Sequence, residues 1–134
     1  MRYLLDTNII SDLVRNPHGR IAEQIRRIGG AKVCTSIIVA AELRYGTIRK
    51  ASPKLTTQLE VILGGFDILP FEAPADTAYG LIRTRLEAVG RPIDGNDMLI
   101  AAQAMALGYT LVTDNAREFG RIDGLSHENW LRPD

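Results

Sequence analysis

Apolar positions along the chain alternate between short runs and helical stripes. Arg2-Tyr3-Leu4-Leu5 reads as a buried strand that ends at Asp6-Thr7-Asn8. A helix begins over Ile9 to Val14, with Asp6 or Asn8 as its cap, and Asn16-Pro17 breaks it. Pro17 is placed at about the first position of the next helix, which carries Ile21, Ile25 and Ile28 and stops at Gly29-Gly30. Lys32 to Thr35 is the second strand, and Ser36 caps a helix from Ile37 to about Arg49. After the Ser52-Pro53 loop, Leu55 to Leu63 is helical as far as Gly64-Gly65. Phe66 to Leu69 is a third strand closed by Pro70, and Pro74 opens a helix that reaches about Val89. Asp94-Gly95-Asn96 reads as a turn, and Asp97 to Leu107 as an Ala-rich helix ended by Gly108. Tyr109 to Thr113 is the fourth strand, and the tail from Ala116 is short turns with an edge strand near Leu125.

Strands separated by helices imply parallel pairing, hence a three-layer α/β/α sandwich. With no repeat or linker, residues 1–134 are read as one domain. In open parallel sheets, sites form beyond the carboxyl ends of the strands. Two strands end alike there, Leu4-Leu5-Asp6-Thr7-Asn8 and Leu111-Val112-Thr113-Asp114-Asn115.

Four acids occupy such positions. Asp6 has a competing reading as a helix cap. Asp114 has no evident structural task, because Asn115 can cap the next turn with Glu118 as its box partner. Glu42 follows Ile38 by four residues and lies on the shoulder of a stripe formed by Ile38, Ala41, Tyr45 and Ile48. Asp97 begins the stripe continued by Ile100, Ala101 and Ala104, although a first-turn acid is also favoured by the helix dipole. Asp94 reads as a cap in preference to a ligand. No lysine or histidine is placed to neutralise the set, and a cluster of carboxylates repels itself unless a cation holds it. Hard oxygen donors suit Mg²⁺ or Mn²⁺; zinc would want His or Cys, and His18, His127 and Cys34 do not group. A Mg²⁺ site takes substrate phosphate as a ligand, which points to phosphodiester hydrolysis.

Composition narrows this picture little. The formal net charge is zero, which argues against a generic basic nucleic-acid coat but leaves room for an acidic pocket with a basic rim. Lysines are confined to Lys32, Lys50 and Lys54, and arginine, the better phosphate clamp, supplies the other cations. Arg44, Arg83 and Arg117 are candidates for that rim. The single cysteine, Cys34, fits a small buried hydrophobe in a reducing cytoplasm. No apolar run approaches a membrane span, and Asp6 interrupts any signal-peptide-like start.

Asp6-Thr7-Asn8, Ala41-Glu42-Leu43, Asn96-Asp97-Met98-Leu99-Ile100-Ala101-Ala102 and Thr113-Asp114-Asn115, in that order, resemble the PIN-domain nucleases. Tyr45-Gly46, Arg117-Glu118-Phe119 and the Trp130-Leu131 ending extend the likeness to the VapC toxins of bacterial toxin–antitoxin pairs, over nearly the whole chain. The resemblance implies a parallel sheet in the order 3-2-1-4-5 and Mg²⁺ or Mn²⁺ held by Asp6, Glu42, Asp97 and Asp114. Asn8, Thr113 and Asn115 would orient ligands or the attacking water. It also implies a metal-dependent endoribonuclease that leaves a 3′-hydroxyl and a 5′-phosphate, a homodimeric assembly and a cognate antitoxin that blocks the acidic groove. Initiator tRNA is one candidate substrate.

Two other readings are weighed against this one. An aspartyl-phosphate phosphatase would want a second Asp two residues after the nucleophile, where this chain has Asn8, and a lysine that none of the three supplies. A catalytically silent RNA- or protein-binding module on the same fold would be expected to have lost one or more of the acids.

Overall fold

The structure is a computed structural model that describes residues 2–132. Five parallel strands form one sheet in the order β3-β2-β1-β4-β5. They are β1 (Tyr3–Leu5), β2 (Val33–Ser36), β3 (Asp67–Leu69), β4 (Thr110–Val112) and β5 (His127–Glu128). The helices are α1 (Thr7–Arg15), α2 (Arg20–Ile28), α3 (Ile37–Lys50), α4 (Pro53–Gly64), α5 (Ala75–Ala88), α6 (Gly95–Leu107) and α7 (Ala116–Phe119). Right-handed crossovers, the rule for parallel strands, put α1–α4 on one face and α5–α7 on the other. The packing agrees: α1, α3 and α4 touch one another, and α5 lies along α6.

The central strand explains the continuous apolar run at its end of the chain. Leu4 and Leu5 are fully buried because helices cover both faces of β1. Leu4 is level with Cys34 on one side and Leu111 on the other, so β1 and β4 are neighbours. The order reverses there: the chain leaves β1 toward β2 and later returns to β4 across the other face. Asp6 and Asp114 thus emerge at the same end of adjacent strands, at the switch point. Cys34 is wholly buried, donates from Sγ to the Tyr3 carbonyl, and burial pushes its thiol up to about 11, so it packs as an inert hydrophobe.

Several boundaries differ from the sequence reading. Pro17 does not open α2; the helix starts at Arg20 with Gly19 as its cap. Residues 16–19 form a tight turn in which the Gly19 N–H donates to the Asn16 carbonyl, and a Cβ on Gly19 would come within 3.0 Å of the Asn16 Cβ. Pro53 is the residue that takes a first-turn position, in α4, where Ser52 accepts from the Leu55 N–H. The Asp94-Gly95-Asn96 turn is instead the beginning of α6, capped by Asp94. The edge strand lies at His127–Glu128, while Leu125, just before it, is a buried anchor.

The phase of α3 is the largest correction. Its buried residues are Val39, Ala40 and Leu43, whereas Tyr45 is 63% and Ile48 73% exposed. Apolar residues occur on two faces of this helix, and a periodicity alone does not say which face meets the sheet. Glu42 still sits at the margin of the buried face, beside Leu43.

Gln103 locks α6 to the end of β2. It is buried; its Oε1 accepts from the Ser36 hydroxyl, and its Nε2 donates to the carbonyls of Leu69 and Pro70. Ser36 in turn accepts from the Ile38 N–H and so caps α3. This network sets α6, which carries Asp97, against α3, which carries Glu42. Gln103→Leu leaves a hydroxyl and two carbonyls without these partners and is expected to cost about 1–3 kcal/mol, measured by urea unfolding.

Candidate active site

Asp6 follows β1 and keeps its backbone in the ladder, its N–H donating to the Val112 carbonyl of β4. Its side chain caps α1, as Oδ1 accepts from the Thr7 N–H at 2.8 Å. Oδ2 accepts from the Thr113 hydroxyl at 2.7 Å. The cap therefore uses one oxygen and leaves the other to Thr113: both oxygens are oriented, and the carboxyl is almost wholly buried at the strand ends. Burial raises its pKa above the ordinary value, with Glu42 adding to the rise and the Thr113 and Thr7 hydrogen bonds opposing it.

A chain of hydrogen bonds leads from Asp6 through Thr7 to Glu42 and on to Asn96, next to Asp97. Thr7, whose N–H holds Asp6, donates its hydroxyl to Glu42 Oε1 at 2.5 Å. Asn96 donates from Nδ2 to Glu42 Oε2 at 3.3 Å. Asn96 immediately precedes Asp97 in the first turn of α6. Three elements, α1, α3 and α6, are thereby tied around Asp6, Glu42 and Asp97. Thr7 and Asn96 belong to the motifs around Asp6 and Asp97, but the sequence gives them no role of their own. Their only signal was adjacency to Asp6 and Asp97.

The leading influences on Asp97 all push the same way. Burial comes first, then the negative charges of Asp6, Asp94, Glu42 and Glu118, and together they raise its pKa to about 7. Asp94 is thus both the cap of α6 and part of the acidic field. Glu118 is an unanticipated contributor. It was expected to close a capping box with Asn115, but Asn115 makes no side-chain cap; its N–H donates to the Thr113 hydroxyl instead. That leaves the Glu118 side chain free of the box and within electrostatic reach of Asp97.

Asp114 stands apart from this inner group. Its backbone N–H donates to Asn8 Oδ1 at 3.0 Å, so Asn8 pins the β4 end to α1. Its carboxylate turns toward the C-terminal segment, where Asn129 and Arg132 hold it below the usual range. The three arginines divide similarly. Arg44 makes a two-pronged pair with Glu60, and Arg83 pairs with Glu87 and Tyr79, so both are engaged within the chain. Arg117, exposed on α7 beside Glu118, has no ion pair among the described residues.

The donor set fits a hard divalent cation. It is all carboxylate oxygen, and Asp97, raised first by burial, is raised further by the negative charges of Asp6, Asp94, Glu42 and Glu118. Among the described residues no three acidic, His or Cys side chains form a closed metal cage as they stand, consistent with the hydrogen bonds that already occupy Asp6 and Glu42. Mg²⁺ keeps several waters and takes phosphate oxygens as ligands, so it does not require an all-protein cage.

The five-stranded parallel sheet thus brings Asp6, Glu42 and Asp97 near one another at the carboxyl end of its central strands. Residues 3–125 match the family model for the PIN domain. The chain is 34% identical over 131 residues to the tRNA(fMet)-specific endonuclease VapC of Shigella flexneri, covering 97% of this chain and 98% of the relative. It is 38% identical over 132 residues to Ribonuclease VapC2 of Rickettsia felis, with 97% and 98% covered. Among solved structures, VapBC2 from Rickettsia felis bound to a promoter DNA fragment superposes with a TM-score of 0.85 at 37% identity, over 97% of this chain and 99% of that one. DNA-bound VapBC from Salmonella typhimurium gives 0.86 at 31% identity, over 97% and 98%. The chain belongs to the PIN-domain family and, within it, to the VapC ribonucleases.

Proposed function

We propose that this chain is a Mg²⁺-dependent endoribonuclease and the toxin of a toxin–antitoxin pair, acting in the cytoplasm as a single nuclease domain. The observation that carries the proposal is the hydrogen-bonded group Thr113–Asp6–Thr7–Glu42–Asn96 beside Asp97, at the switch point of a PIN fold. Asp6 and Asp97 are the direct ligands in this reading, with Glu42 beside them and Asp114 at the outer edge. A bound divalent ion would acidify water and offset charge on the scissile phosphate.

The chain's own residues do the rest. Thr113 holds its hydroxyl proton on Asp6 Oδ2 and accepts from the Asn115 N–H, fixing one carboxylate plane and the start of α7. Thr7 and Asn96 fix the two oxygens of Glu42. Arg117, with no ion pair among the described residues, is the best placed of the three arginines to take a flanking phosphate.

The solved VapBC relatives are toxin–antitoxin complexes, which supports a cognate antitoxin as partner. The exposed apolar face of α3, with Tyr45 and Ile48, supports a homodimer. The Shigella relative's name supports initiator tRNA as the substrate to test first. The phosphatase reading loses ground, since the position two residues after Asp6 is engaged in fixing the Asp114 backbone.

Induced expression of the wild type beside Asp97→Asn, followed by sequencing of new RNA 5′ ends, tests the proposal. New ends confined to one or a few RNAs are expected with the wild type and none with the variant. Growth arrest without new ends, or equal ends with both, overturns it.

A further inference from the structure

The C-terminal segment is built to finish on Asp114. Trp130 is buried, its ring centroid 5.4 Å from that of Tyr3 in β1, and its Nε1 donates to Glu128 Oε1. Arg20, at the start of α2, donates from Nη1 to the Leu131 carbonyl at 2.9 Å. Asn129 Oδ1 accepts from the backbone N–H groups of Leu131 and Arg132, which folds the segment back on itself. From this fixed turn, Asn129 Nδ2 and Arg132 Nε both donate to Asp114 Oδ1, at 3.0 and 2.9 Å. Asp114 Oδ2 has no hydrogen bond among the described residues.

The two donors differ in kind. Asn129 is neutral and half-buried, and it fixes the orientation of the carboxylate. Arg132 carries a full charge, yet its side chain is 77% exposed against 25% for Asp114. An ion pair so open to water is weak, and its cation is readily exchanged for another. Asn8 keeps the Asp114 backbone in place whichever cation is bound.

Resting on the proposed metal-dependent reading, we propose that Arg132 is an internal counter-ion of the fourth acid. It competes with a divalent cation for the Asp114 carboxylate, while Asn129 is the positioning residue that fixes the orientation of that carboxylate whichever cation is bound. The guanidinium leaves Asp114 when the cation arrives. Arg132 therefore lowers the apparent affinity of the site for the ion and delays completion of the acidic set.

Calorimetric titration of Mn²⁺ into the purified full chain tests this without reference to cleavage. Arg132→Gln is expected to tighten Mn²⁺ binding about three-fold, the size of an exposed ion pair's contribution. Arg132→Lys keeps the charge and is expected to stay near the wild-type affinity. In an Asp114→Asn background, Arg132→Gln is expected to change nothing, because the contested carboxylate is gone. Unchanged or weakened binding in Arg132→Gln overturns the proposal, as does an equal gain in the Asp114→Asn background. If the wild type binds no Mn²⁺ at all, the metal-dependent reading fails and this inference fails with it. The arms separate the two failures.

Discussion

Asp6→Asn is expected to reduce RNA cleavage by at least ~100-fold while the protein remains folded. Removing a group that merely supports a metal ligand costs ten- to a hundred-fold, so loss of a direct ligand costs more. The fold survives because Asn preserves most of what Asp6 does structurally. Its Oδ1 still accepts from the Thr7 N–H, so α1 keeps its cap. Its Nδ2 meets the Thr113 hydroxyl, which reverses from donor to acceptor. The variant also removes a carboxylate that burial makes costly to ionise. Circular dichroism and a thermal melt check the fold; a fluorogenic RNA checks cleavage. Loss of activity together with loss of fold would leave Asp6 a structural cap, and full activity would remove it from the site.

A second large effect concerns pH. The pKa of Asp97 lies at about 7 in the folded chain, against an ordinary value of 3.8. Between these values the native state holds a proton that the unfolded chain has lost. Native-state binding of the extra proton makes stability fall as pH rises across that window, and level off above about 7. Asp6, also displaced upward, adds to the fall. Divalent cation binds the ionised carboxylates, so a saturating concentration is expected to reverse the slope, with stability rising from pH 5 to 7.5. Urea unfolding at a series of pH values, with and without Mn²⁺, makes the comparison. Asp97→Asn is expected to remove most of the metal-free decline. A metal-free stability that rises with pH over this window would show that Asp97 is not held among uncompensated acids.

These expectations depend on details that differ in how far the sequence shows them. Strand and helix types were legible because apolar runs and stripes are interrupted by Gly and Pro at the right places, as at Gly29-Gly30, Pro70 and Gly108. Asp6 and Asp97 were legible as candidates because strand ends and helix first turns are visible in one dimension. The competing cap reading for Asp6 turned out to describe the same side chain, one oxygen for the helix and one for Thr113.

What was not legible depends on tertiary arrangement. The phase of α3 could not be settled because apolar residues occupy two of its faces, and the sheet took Val39, Ala40 and Leu43 in place of the Ile38-Ala41-Tyr45-Ile48 stripe. The contribution of Glu118 was hidden because Thr113, not Glu118, meets the Asn115 backbone. The pairing of Asp114 with Asn129 and Arg132 joins residues that only the pairing of β5 alongside β4 brings together. Arg44 and Arg83 looked available for RNA in sequence, but Glu60 and Glu87 take them up in the folded chain.

The central claim is that the acidic group at the switch point cleaves RNA with the help of a divalent ion. Purified chain, free of antitoxin, incubated with RNA in Mg²⁺ and then in excess EDTA, tests it most directly when the product ends are mapped. Discrete internal cuts with 5′-phosphate and 3′-hydroxyl ends, abolished by EDTA and restored by added Mg²⁺ or Mn²⁺, are expected. Cleavage that persists in EDTA, or products with 2′,3′-cyclic phosphate ends, would contradict the claim.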